Sequence, residues 1–299
     1  MAFTQKLLTA TVGGITLSGL RMSLDMLQTG AVAGSTLVQP LLIYGMTKSQ
    51  MNQLTDVGRV WNNFENGKTL TISAGDGQTG MSMIFNGTIL HAHIDAMNQP
   101  QVRFVIFATQ SVVQARQIKK VITQQGAVQA DSLFQRIAQS MGLSLENNGV
   151  NNVIRNPYLW GTDITKCRHL AQACSAEWFI DGVRGKLAIW PAGGSRNVGS
   201  TPLISKQTGM VASPLVDRNN IIVKTLFNPQ VVFGDKVQVY SEIVEAANAT
   251  WNISSIDFEL DSMVPRGRWF QTIRGVDPAT SGGGSSSEDA QVPAGDQDA

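Results

Sequence analysis

Apolar residues recur along this chain at two different periods, and the period changes twice. Up to about residue 110 they alternate with polar ones or run in short blocks, as in TLTIS (69–73), GMSMIFNGTILHAHIDAM (80–97) and QVRFVIFATQ (101–110). Such blocks, punctuated by Gly, Asn and Pro, predict strands, so this stretch is expected to form an antiparallel barrel or sandwich. Pro100 ends one strand and permits the next.

Between 129 and 143 the period lengthens. Leu133, Phe134, Ile137, Ala138 and Met141 follow the i, i+3, i+4 rule, which predicts an amphipathic helix with Asp131 or Ser132 at its start and Gly142 at its end. The preceding SVVQARQIKKVI fits either period. A second helix is expected from Ile164 to Ser175, capped by Thr162 or Asp163, and then a hairpin over 176–191 that turns at Asp181-Gly182. AGGSRNVGSTP (192–202) is a Gly/Ser/Pro linker. Strand character returns in IIVKTLF, DKVQVYS, TWNISSIDFEL and WFQTIRGV, up to residue 276. The rest is acidic, Gly/Ser-rich and poor in large apolar residues, and is expected to be disordered. The expected organisation is a β domain over 1–110, an α/β domain over 111–198, a second β domain over 199–276 and a tail over 277–299. The fold class is mainly β with an α/β insert.

Composition narrows the function. With 299 residues the chain can hold two or three domains of roughly 100 to 200 residues each. Only 15% of residues are charged, so the surface relies on Ser, Thr, Gln and Asn, as suits a protein buried in an assembly. Residues 276–299 hold five acids and no Lys or Arg, leaving 23 bases against 17 acids elsewhere. That excess is too mild and too scattered to indicate nucleic-acid affinity. The weakly apolar run after Lys6 is diluted by Gly13, Gly14, Thr16 and Ser18, which argues against a signal peptide, and no stretch approaches the length of a membrane span. Cys167 and Cys174 lie seven apart in an expected helix, where their Cα atoms would be about 10 Å apart, so reduced buried thiols are expected.

Candidate chemistry is sparse. NGKT (66–69) carries the end of a phosphate loop, but Asn62 stands where the first glycine is required, and a strand follows instead of a helix. His91, His93 and Asp95 fall at i, i+2, i+4 on one face of a strand, the one arrangement with metal-ligand spacing. One strand seldom supplies three ligands, because same-face neighbours are about 7 Å apart, so a polar sheet face is favoured and no metal or cofactor is expected. His169 and Cys167, two apart in a helix, do not share a face. No G-x-S-x-G elbow occurs. The tryptophans at 61, 160, 178, 190, 251 and 269 are spread over all modules, as core or interface packing requires. No catalytic residue is assigned, and the chain is expected not to be an enzyme.

The ordered series FNGTILHAHID…QPQVRFVIFA, GLSLENNGV…NPYLWGT, AEWFIDG…KLAIWPAGG, PLISKQTGMVASP and TLFNPQVVFGDKVQV (85–239) resembles the hub proteins of contractile bacteriophage tail baseplates. The resemblance runs over about residues 3 to 275. It implies two tail-tube-like antiparallel β-barrels flanking a small α/β domain, and a homotrimer whose pseudo-sixfold ring adapts the sixfold tail tube to the threefold central spike. The implied partners are other copies of the chain, the spike and the tail tube protein, with tape measure and baseplate wedge proteins as further neighbours. DNA is implied only as cargo in the lumen, with no membrane insertion, and the implied location is the virion baseplate after assembly in the host cytoplasm. The rival readings are a cell-wall or polysaccharide-active tail protein and a tail-tube subunit.

Overall fold

The computed structural model describes residues 5–30, 34–55, 68–78, 80–97, 99–111, 117–199 and 201–278. Trp61, the Asn66-Gly67 half of NGKT, and the tail beyond Pro278 lie outside them. The first segment forms β1 (Lys6–Val12), β2 (Ile15–Leu17), β3 (Met22–Thr29), β4 (Ser35–Tyr44), β5 (Thr69–Asp76), β6 (Gly80–Asp95) and β7 (Arg103–Thr109). Alternation holds where it can be followed. In β3, Met22, Leu24 and Met26 are buried, while Ser23, Asp25 and Leu27 stand partly exposed on the other face.

A helix, α1 (Lys48–Leu54), interrupts this segment where only strands and turns were expected. Seven residues are too few to show a period. Its start is nevertheless written in the sequence as a capping box: Thr47 Oγ1 accepts from the Gln50 N–H at 3.3 Å, and Gln50 Oε1 accepts from the Thr47 N–H at 3.0 Å. Lys68, the lysine of NGKT, donates to the carbonyls of Gln53 and Leu54 at the other end, where a cation complements the helix dipole.

The middle segment builds β8 (Ile122–Thr123), β9 (Ala127–Gln129), α2 (Ala130–Ser140), β10 (Ser144–Asn147), β11 (Val153–Arg155), β12 (Tyr158–Leu159), α3 (Asp163–Ala173), β13 (Ala176–Asp181) and β14 (Lys186–Pro191). Both helices pack apolar faces, including Leu133, Phe134, Ile137 and Leu170, into a core closed by β13 and β14. Two local expectations need correction. Because β9 runs straight into α2, Gln129 takes the cap position, and Asp131 and Ser132 fall in the first turn instead. The hairpin turn spans residues 182–185, since Asp181 stays paired with Lys186 and its carboxylate accepts the Arg184 N–H at 3.1 Å. At α3 the expected Thr162 cap is present, accepting from the Thr165 N–H at 3.2 Å. Ser175 then turns left-handed at φ 47°, so the helix ends two residues early.

The third segment adds β15 (Leu203–Ile204), β16 (Leu215–Asp217), β17 (Asn220–Leu226), β18 (Lys236–Val239), β19 (Thr250–Ser262) and β20 (Trp269–Val276). Its strands join those of the first in one sheet of 13 strands among the described residues, ordered β16-β17-β20-β19-β3-β4-β7-β6-β5-β1-β2, with β18 and β15 branching from β19. The junction is antiparallel pairing of β19 with β3, from Ser255 opposite Thr29 to Ser262 opposite Met22. The two β segments thus meet edge to edge and share one hydrophobic core. Along the described residues the sheet is open at β16 and β2.

The α/β unit is attached through its hairpin, which is buried on both faces. Ile180, Leu187 and Ile189 point into the helical core, while Phe179, Ala188 and Trp190 join the core of the large sheet. Phe179 and Trp190 meet Phe233 of the third segment at centroid distances of 4.4 and 6.2 Å. Beside them Arg196, which the sequence places in a linker, is completely buried. Its guanidinium donates to both Glu146 oxygens at 2.9 and 3.1 Å, to Asp181 at 3.1 Å and to the Phe233 carbonyl at 3.2 Å. Gly234 lets the chain pass: at φ 78°, a Cβ there would stand 2.9 Å from Trp190 and 3.0 Å from Arg196.

Removing one member of a buried ion cluster leaves its partners uncompensated, so Arg196→Met is expected to cost about 3 kcal/mol in urea unfolding. Burial would raise the Glu146 carboxyl, but the hydrogen bonds and charge of Arg196 outweigh it and bring it from 4.5 down to about 2. Its contribution is therefore complete above about pH 4.5 and lost as the pH falls toward 2. Stability of the native protein should decline across that window, and Arg196→Met should remove that part of the slope.

Candidate functional site

The face of the large sheet turned away from the core is continuous across the two β segments. Period-two alternation places Ser23 and Asp25 of β3, Asp257, Glu259 and Asp261 of β19, Thr272 and Arg274 of β20, and Lys224 of β17 on it. Register sets acidic residues side by side, and cations from neighbouring elements bridge them. Glu259 lies across from Asp25, and Asp261 across from Ser23. Arg268, in the turn between β19 and β20, reaches Asp25 at 2.8 Å, Asp261 at 3.2 Å and Glu259 at 3.6 Å, and donates to Ser23 Oγ at 2.9 Å. Lys224 pairs with Glu259 at 2.7 Å, and Arg274 pairs with Asp257.

These contacts set the protonation states. Desolvation opposes ionisation of Asp261, but hydrogen bonds from Arg268 and Ser23 prevail and hold its carboxyl below the usual range. The Arg268 guanidinium is held further above its ordinary value, chiefly by Asp261. A trough of about 380 Å³ runs along this face, floored by Asp25, Leu27, Lys224, Asp257, Glu259 and Arg274. Each of its cations is paired with a carboxylate, and the acids Asp25, Asp257 and Glu259 outnumber Lys224 and Arg274, so the trough presents fixed charge pairs with a slight acidic excess.

The residues with metal-ligand spacing stand further along the sheet, on β6. His91 and His93 stack with ring centroids 4.7 Å apart and 27° between planes. Asp95 does not join them. The Met97 N–H donates to it at 3.0 Å and Arg103 at 2.7 Å, and these bonds lower its carboxyl. Among the described residues, no three His, Cys, Asp or Glu side chains come together as a metal-holding group.

Cys167 and Cys174 are buried free thiols, and desolvation pushes Cys174 up to about 11 and Cys167 higher still. His169 meets Trp160 edge-on at 5.8 Å. Trp178, Trp190, Trp251 and Trp269 are buried in the cores, whereas Trp160 is half exposed. Among the described residues, no helix is long and apolar enough to cross a membrane.

Sequence reasoning passed over Arg268 and Arg196, because a lone arginine in a turn or a Gly/Ser stretch carries no periodic signal. The acidic half of the network was readable: Asp257, Glu259 and Asp261 alternate with apolar residues in IDFELD.

An antiparallel sheet of this extent with an α/β unit packed against it is similar to the folds of solved tail proteins. The 43 kDa tail protein of prophage MuSo2 from Shewanella oneidensis shares it at a TM-score of 0.62 and 13% identity, over 92% of this chain and 97% of that one. The tail protein from Neisseria meningitidis MC58 does so at a TM-score of 0.64 and 10% identity, over 93% and 98%. The Escherichia coli c3393 protein matches at a TM-score of 0.60 and 8% identity, over 95% and 79%. It is described as a type VI secretion component structurally similar to T4 tail proteins gp27 and gp5. No curated protein matches the sequence significantly. The chain belongs to the baseplate hub gp41 family, whose model matches residues 34–273.

Exposed ion pairs contribute little each, so Arg268→Ala is expected to cost roughly 1 kcal/mol in urea unfolding, well below the effect of Arg196→Met. An equal or larger loss would show that the seam between β3 and β19 depends on this network.

Proposed function

We propose that the chain is a structural hub subunit of a contractile phage tail. Three copies, each contributing two tail-tube-like β-barrels, close a pseudo-sixfold ring that joins the sixfold tube to the threefold spike. The family match supports the hub role, and the observation that carries the rest is the continuity of the sheet. The β3–β4 and β19–β20 hairpins stand side by side, so one chain offers two neighbouring antiparallel units to a ring with six positions.

The paired outward face suits a channel wall. DNA binds where unpaired cations can displace condensed counterions. Here Arg268, Lys224 and Arg274 are engaged by carboxylates on the same face, so a passing duplex meets no strip of free positive charge. Spike and tube proteins are the proposed axial partners, with tape measure and wedge proteins beyond them and assembly in the host cytoplasm. Apolar side chains of the third segment are available for these contacts: Leu203, Val211, Leu215 and Leu226 are each at least 43% exposed.

The proposed role is non-enzymatic. A general acid needs a carboxyl whose pKa is raised toward neutrality, whereas on this face Asp95 is held down by the Met97 N–H and Arg103 and Asp261 by Arg268 and Ser23, and Glu177, which burial raises, lies away from the face and accepts from Trp190 Nε1.

Native mass measurement of the purified protein, alone and with its spike, should give threefold stoichiometry. A chain that stays monomeric in both samples would overturn the ring, and six copies per ring would favour a tube subunit. In a peptidoglycan zymogram the protein should leave no clearing; clearing that disappears when one Asp or Glu is replaced would establish a hydrolase instead.

A further inference from the structure

We propose that His91 and His93 form a two-imidazole binding site for a borderline divalent cation of the Zn²⁺ or Ni²⁺ class. Same-face neighbours on a strand ordinarily stand about 7 Å apart. These two rings instead lean together to 4.7 Å and lie 27° from parallel, with in-plane nitrogens pointing in similar directions, so sharing one ion requires the two side chains to rotate toward each other over an unchanged strand backbone. The strand beneath is held firmly, with His91 opposite Phe107 and His93 opposite Val105 across the β6–β7 ladder.

His93 Nδ1 is a second, independent sign. It is buried and has no hydrogen-bond partner. An orphaned imidazole nitrogen in a half-buried ring is a donor without a use inside the protein, and a neutral imidazole donor suits Zn²⁺, Ni²⁺ or Cu²⁺ over Mg²⁺ or Ca²⁺. Asp95, the next residue on this face, is occupied by Arg103 and the Met97 N–H, so the donor set is two nitrogens. The remaining coordination positions are open to water or to a donor from a neighbouring subunit.

The chain contains three histidines, which makes the test clean. The untagged full-length protein is titrated with Zn²⁺ or Ni²⁺ alone by calorimetry, with circular dichroism and melting temperature recorded for each variant to confirm folding. One ion per chain is expected. His91→Ala or His93→Ala should weaken binding by roughly tenfold or more, as loss of one of two donors requires. His169→Gln and Asp95→Asn should bind as the native chain does. Three results would overturn the assignment: no uptake by the native protein, native-like uptake by the folded His91→Ala/His93→Ala double variant, or loss of uptake in Asp95→Asn.

Discussion

The architecture depends on one antiparallel pairing, between β3 near the start of the chain and β19 near its end. Ser23 donates to Asp261 at 2.6 Å across a separation of 238 residues. Closing so long a loop costs entropy, although the cost grows only slowly with length. Buried side chains on the core face offset it: Met26 faces Phe258, Leu24 faces Leu260, and Met22 faces Ser262 beside the β20 strand. Once this ladder forms, the β segments become one surface and the α/β unit is left as an insertion that must be secured. Its attachment then falls to a hairpin with two buried faces and to the Arg196 cluster. A buried guanidinium is costly unless its donors are met, and Glu146, Asp181 and the Phe233 carbonyl meet it from three directions. Those partners come from both sides of the junction, so the same cluster that resists solvent also specifies the angle of docking.

Much of the element order was legible because it rests on local periodicity. The β17, β19 and β20 strands, and the helices α2 and α3, appear where alternation and the i, i+3, i+4 pattern place them. Pairing was not legible, because Met22–Thr29 carries the same alternation whether it pairs with β4 alone or with β19 as well. The linker is the sharpest case. AGGSRNVGS has the composition of a flexible connector, yet Arg196 lies wholly inside and its N–H donates to the Gly234 carbonyl at 2.7 Å. Composition reports what a segment does by itself, while burial depends on what the rest of the chain brings to it. The outward face divides in the same way: IDFELD shows its acids, and the cations that match them come from β17, β20 and a turn.

The paired face also constrains how the sheet can be used. Fixed ion pairs add little stability at a surface, but they hold side chains in place and offset most of each other's charge. His91 and His93 interrupt this scheme, being imidazoles set beside a carboxylate that Arg103 and the Met97 N–H already occupy. The face therefore combines paired charges with one position of distinct ligand chemistry.

The ends of the sheet complete the constraint. β16 and β2, the outermost strands, are three residues each, so each offers little backbone for pairing. Short edge strands are a common protection against indiscriminate strand addition. An assembly built from this chain must then draw its specificity from side chains near those edges, and Leu215 and Ile222, paired across β16 and β17, are partly exposed there. A subunit whose core sheet is continuous and whose outermost strands are short can be rigid within itself and still selective about its neighbours.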